Sequence, residues 1–66
     1  MRFNYRITLM GSPVSTSFVV HATEWQVKKM FLYLCCCIND GLVYNRAFLD
    51  LVTEKGAERI GSYRHV

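Results

Sequence analysis

The stretch from Thr23 to Gly41, TEWQVKKMFLYLCCCINDG, constrains the fold more than any other, because it reads as one long helix holding most of the large apolar side chains. Thr23 and Gln26 have the spacing of a capping box, in which each side chain satisfies a backbone N–H that the first turn leaves unpaired. Glu24 adds negative charge at the positive end of the helix dipole. Val27, Met30, Phe31, Leu34, Cys35 and Ile38 then recur at the i, i+3, i+4, i+7, i+8, i+11 spacing of one helical face. That face must be buried. Asn39, Asp40 and Gly41 end the helix, glycine supplying the left-handed conformation that helix C-termini favour.

At roughly 100° per residue, Trp25, Lys29, Leu32 and Cys36 fall on the side opposite that stripe. A helix lying on a small sheet has only one face to bury, so Trp25 and Leu32 demand an explanation. Two are open: the C-terminal segment folds over them, or they form an apolar patch with a lysine rim, the kind of surface that meets a protein partner. On the second reading the protein-binding residues are Trp25, Lys29, Leu32, Tyr33 and Cys36, and the same patch would also serve to close a homodimer.

A chain of 66 residues makes one domain, 1–66. At that length only about 60% of the unfolded surface is buried on folding. The aromatic content is high enough for it to fold, alone or as a homodimer. The net charge of +3 permits contact with nucleic acid or an acidic protein surface and requires neither. Cys35, Cys36 and Cys37 are consecutive, so no disulfide framework can be drawn and a reducing cytosol is expected. Their side chains diverge by about 100° per step with no histidine nearby, which argues against zinc. Cys35 is assigned to the core, Cys36 to its border and Cys37 to the surface. No signal peptide is visible, and the apolar run Met30 to Ile38 is far shorter than the roughly 20 residues a membrane crossing takes. A soluble, cytoplasmic protein is expected.

In chain order, Arg2 to Met10 alternates, with Phe3, Tyr5, Ile7 and Leu9 on one face and Arg2, Asn4, Arg6 and Thr8 on the other, a half-buried strand. Gly11, Ser12 and Pro13 make a turn, and Val14 to His21 reads as the second strand of a hairpin. Beyond Gly41, Leu42 to Tyr44 reads as a short extended piece. Asn45 then caps a second helix through Lys55, with Phe48, Leu51 and Val52 at helical spacing and Gly56 as its stop. The alternative is a strand over Phe48 to Thr53, where Leu49, Leu51 and Thr53 alternate. Ala57 to His65 reads as a last strand, with Ile60 facing in and Arg59, Tyr63 and His65 out, or the reverse around Gly61. The expected class is α+β, β-β-α-α-β, an antiparallel sheet of about three strands with one long and one short helix on one face.

The chain contains no nucleophile elbow, phosphate-binding glycine loop, His-x-x-x-His or suggestive carboxylate pair. His21 and His65 are isolated in sequence. Asp40 reads as a helix end and Asp50 as a solvated helix face. Neither catalysis nor a cofactor is expected. Beside the helix patch, the outer sheet face is the second candidate surface: Arg2, Asn4 and Arg6, extended by Arg59, Tyr63 and Arg64 if the last strand lies beside the first. Cations interleaved with an aromatic ring are what single-stranded nucleic acid needs. Arginines also serve to keep an exposed sheet soluble and unpaired.

In size and in its layout of hairpin, helix and further strand, the whole chain resembles the very small single-domain proteins of phages and mobile elements, anti-CRISPR proteins above all. The resemblance implies a cytosolic, non-catalytic inhibitor that docks on a CRISPR effector subunit and blocks target DNA binding or nuclease recruitment. Many of those proteins are acidic DNA mimics, whereas this chain is basic. That favours contact with a protein subunit or with nucleic acid over mimicry. No residue is matched by motif, so no role is carried over.

Overall fold

The computed structural model describes residues 1–11, 14–39 and 44–65. Their elements are β1 (Phe3–Gly11), β2 (Ser15–Ala22), α1 (Glu24–Asn39), β3 (Tyr44–Thr53) and β4 (Gly56–Arg64). The four strands form one antiparallel sheet in the order β2-β1-β3-β4. Since β1 runs antiparallel to both of its neighbours, β2 and β3 are parallel to each other, and α1 is the crossover that links them past β1.

The first hairpin and the helix form as their patterns require. Phe3 to Gly11 alternates, and the register Tyr5↔Val20 and Ile7↔Phe18 brings the apolar members of β1 and β2 onto one face. The expected capping box is made: Thr23 N–H donates to Gln26 Oε1 at 3.0 Å, and Gln26 N–H donates to Thr23 Oγ1 at 3.2 Å. Val27, Phe31, Cys35 and Ile38 then form a buried stripe against Tyr5, Ile7, Ala47 and Leu49 of the two central strands. Met30, placed on that stripe by its spacing, is instead exposed. Ile7, Val27 and Leu49 are the largest side chains enclosed completely. Each contributes about 1.5–3 kcal/mol of transfer free energy.

The second half of the chain corrects the expected β-β-α-α-β order. Residues 45–55 hold no helix: β3 runs through Tyr44–Thr53, and the architecture is β-β-α-β-β with four strands and one helix among the described residues. The period of two wins because β3 is a central strand. Ala47, Leu49 and Leu51 stand opposite Leu9, Ile7 and Tyr5 and share their face, whereas Phe48 and Val52 point the other way. The helical spacing of Phe48, Leu51 and Val52 spans barely more than a turn, too little to compete with a ladder on both edges. Gly56 begins β4 at φ 127°, after the turn Glu54-Lys55, so its left-handed freedom serves a hairpin instead of stopping a helix. Gly11 N–H donates to the Val14 carbonyl at 2.7 Å. Ser12, Pro13, Asp40, Gly41, Leu42 and Val43, to which the sequence pattern gives turn, helix-end and extended roles, lie outside the described residues.

Two register shifts break the alternation. Met10 pairs with Arg46 and Gly11 with Tyr44, which leaves Asn45 extra; Leu49 pairs with Gly61 and Asp50 with Arg59, which leaves Ile60 extra. The second bulge allows Arg59 to face outward while Gly61 and Tyr63 face the helix. A Cβ at Gly61 would lie 3.5 Å from both Leu49 Cβ and Phe31 Cε2, so this part of β4 runs directly beneath the helix.

Truncation of Leu49 to Ala should lower the unfolding free energy by about 2–5 kcal/mol, measured by chemical denaturation. Gly61→Ala should be tolerated, because the added methyl meets ordinary van der Waals contact.

Candidate functional site

Two surfaces remain open once the core has closed. The first is the outer side of α1. Burial of Val27, Phe31, Cys35 and Ile38 turns Trp25, Lys29, Leu32 and Cys36 to solvent, with Tyr33 beside them. Trp25 and Tyr33 are each 70% exposed and Leu32 is 66% exposed, so the described C-terminal strand does not fold over them. β4 is an edge strand of the sheet, on the other side of the helix. The five residues predicted for protein binding are therefore brought together on one exposed face. Lys29 Nζ stands 5.1 Å from the centroid of the Trp25 ring, a cation–π contact that holds the indole against the helix. Trp25, Lys28, Lys29 and Leu32 line a shallow depression there, and Lys28 pairs with Glu24 one turn earlier at 3.4 Å.

The second surface is the face of the sheet away from the helix, which no described element covers. Its side chains stand in cross-strand rows. His21, Asn4, Val52 and Ala57 form one; Val19, Arg6, Asp50 and Arg59 the next; Ser17, Thr8, Phe48 and Ser62 the third; Ser15, Met10, Arg46 and Arg64 the last. In the first row His21 Nδ1 lies 3.0 Å from Asn4 Oδ1, a hydrogen bond in the tautomer protonated on Nδ1. In the second, Asp50 accepts from Arg59 Nε at 3.0 Å and Arg6 Nη2 at 3.4 Å. Asp50 is only 3% exposed although the face is open, because the two arginines close over it. Arg59 also lays its guanidinium 4.1 Å from the centroid of the Phe48 ring.

Of the residues predicted for nucleic-acid contact, Asn4, Arg6, Arg59 and Arg64 share this face. Arg2 precedes β1 and lines a cleft at the end of the sheet with Asn4 and His21. Tyr63 does not belong: it stands opposite Ala47 on the helix side and packs on the core. The last strand also lies beside β3, not β1. Arg46, Phe48 and Asp50 complete the face and escape a reading of the sequence, because assigning residues 45–55 to a helix hides their common parity with Arg6.

Cys35 is buried as its assignment to the core requires, whereas Cys36 is exposed instead of at the border and Cys37 half-buried instead of at the surface. Burial pushes the Cys35 thiol above its ordinary 9.0, and the neighbouring charge of Cys36 adds to the shift. No group of three or more potential metal ligands gathers among the described residues. No helix among them is long and apolar enough to cross a membrane. No protein-family model matches the chain, and neither the curated proteins nor the solved structures contain a significant match.

Two outcomes are expected. Asp50→Ala should destabilise the fold by about 1–3 kcal/mol, since it removes charged hydrogen bonds whose arginine ends remain partly hydrated. Alkylation with iodoacetamide, read by peptide mass spectrometry, should modify Cys36 first and Cys35 only under denaturing conditions.

Proposed function

We propose that the chain is a non-catalytic interaction module that docks on a protein partner through the outer side of α1. The observation that supports this is the exposure of Trp25, Leu32 and Tyr33 on a helix whose other side already supplies the whole helical share of the core. Large apolar side chains grouped on the surface of so small a domain act as anchors for a partner, and aromatic ones dominate the energetics of interfaces. Lys28 and Lys29 border the patch and favour a partner with carboxylates around an apolar pocket. Blocking a larger nucleoprotein assembly, as the resemblance to anti-CRISPR proteins implies, is one form such docking takes; size and layout are its support. A second copy of the chain is the competing occupant of the same patch.

The test compares the tagged protein with its Trp25→Ala and Leu32→Ala variants, in capture from cells that carry the gene and in sedimentation. Both variants should lose the captured partner, with affinity reduced on the order of 30-fold or more. Their unfolding free energies should stay within about 0.5 kcal/mol of the parent, because neither side chain is part of the core. Retention of the partner by both variants would falsify the proposal. A parent dimer that dissociates on Trp25→Ala would assign the patch to self-association instead.

A further inference from the structure

The chain carries eight Lys and Arg against five Asp and Glu. The outer sheet face alone holds four of the cations, Arg6, Arg46, Arg59 and Arg64, against one carboxylate, Asp50. Its surplus of three equals that of the entire chain, so the remaining charges cancel and the positive field of the molecule is concentrated on one flat side. Solubility alone would call for the two signs to be interspersed.

Within that face the two cationic rows are built differently. Arg6 and Arg59 have Asp50 between them. Arg46 and Arg64 stand directly opposite each other across β3 and β4, and no carboxylate among the described residues pairs with either. Like charges placed so are unfavourable, and an anion bound between them reverses the sign. Phe48 lies in the row that separates this pair from Asp50, with Ser62 beside it on β4. Arg46, Phe48, Ser62, Tyr63 and Arg64 line a cleft of about 280 Å³.

We propose that this face binds single-stranded nucleic acid, with a backbone phosphate held between Arg46 and Arg64 and the adjoining base stacked on the pile that Arg59 makes with Phe48. Guanidinium forks suit phosphate oxygens, and the Ser62 hydroxyl adds a donor at the cleft. Along the strands the rows run cation, ring, cation, which matches the alternation of phosphates and bases in an extended strand. A duplex would meet only the charges: its bases are already stacked, and a flat sheet face enters neither groove. This surface lies across the sheet from the helix patch and is independent of it.

The test is fluorescence anisotropy of a labelled oligo(dT) and an oligo(U) of equal length, at several salt concentrations, with a duplex of the same length as comparison. The folded parent should bind the single strands more tightly than the duplex. The double variant Arg46→Ala with Arg64→Ala should reduce the slope of log affinity against log salt by about 0.7, the share of the one phosphate no longer neutralised. Its thermal midpoint should hold or rise, since both side chains are exposed and repel each other. Phe48→Leu keeps the apolar volume, removes the ring and should weaken binding on the order of tenfold. Trp25→Ala should bind as the parent does. The proposal is overturned if the folded parent binds neither oligonucleotide at low salt, or if the duplex binds as well as the single strands. It is also overturned if Lys28→Ala with Lys29→Ala reduces the salt slope as much as the arginine pair does, or if inorganic phosphate at equal ionic strength competes as well as the oligonucleotide.

Discussion

The whole arrangement depends on the contact between one stripe of α1 and the two central strands. Val27, Phe31, Cys35 and Ile38 meet Tyr5, Ile7, Ala47 and Leu49, and this is the one hydrophobic cluster the described chain possesses. A domain of this length has no second layer to spend. One helix can bury only one of its own sides and only one side of a four-stranded sheet, so two large surfaces stay wet whatever the sequence places on them. What the sequence places there is informative because the core does not dictate it.

The two wet surfaces answer that freedom in opposite ways. The helix exterior carries an indole, a phenol and a leucine, side chains whose bulk is apolar. The sheet exterior carries guanidiniums arranged in rows. Asp50 shows how the latter surface is held in order: a buried carboxylate on an open face is costly unless charged donors meet it from both sides, and Arg6 and Arg59 reach it from the two neighbouring strands. The triad therefore ties β1, β3 and β4 together on the side that has no apolar core.

How much can be read in advance follows from the length of the periodic signal. The first strand alternates over nine residues and the helix has both a capping box and about three turns of apolar spacing, so each is legible to within a residue or two. The exterior of the helix is legible for the same reason, since fixing the buried stripe fixes its complement. The second hairpin is not. Its strands carry an extra residue each, at Asn45 and Ile60, and a bulge inverts the parity of everything beyond it. Tyr63 is misplaced for that reason, and Arg46 and Phe48 are hidden by the helix that local spacing draws through them. The strand reading of Phe48 to Thr53 contains the correct answer but cannot prevail without the partner strand, because the ladder to β1 is a long-range term no local window holds.

Separation of the two surfaces has an energetic consequence. The molecule measures 34 × 21 × 16 Å, and the helix exterior and the outer sheet face lie on either side of the sheet and its covering layer. Their residues share no partners, since the Trp25 and Lys29 contact closes within the helix and the Asp50 triad closes within the sheet. Changes on one surface should therefore add to changes on the other without coupling. Among the described residues, the buried cluster around Ile7, Val27 and Leu49 lies between them. If the two surfaces act as proposed, occupation of one face leaves the other free, and the apolar protein surface on the helix and the polyanion on the sheet do not compete.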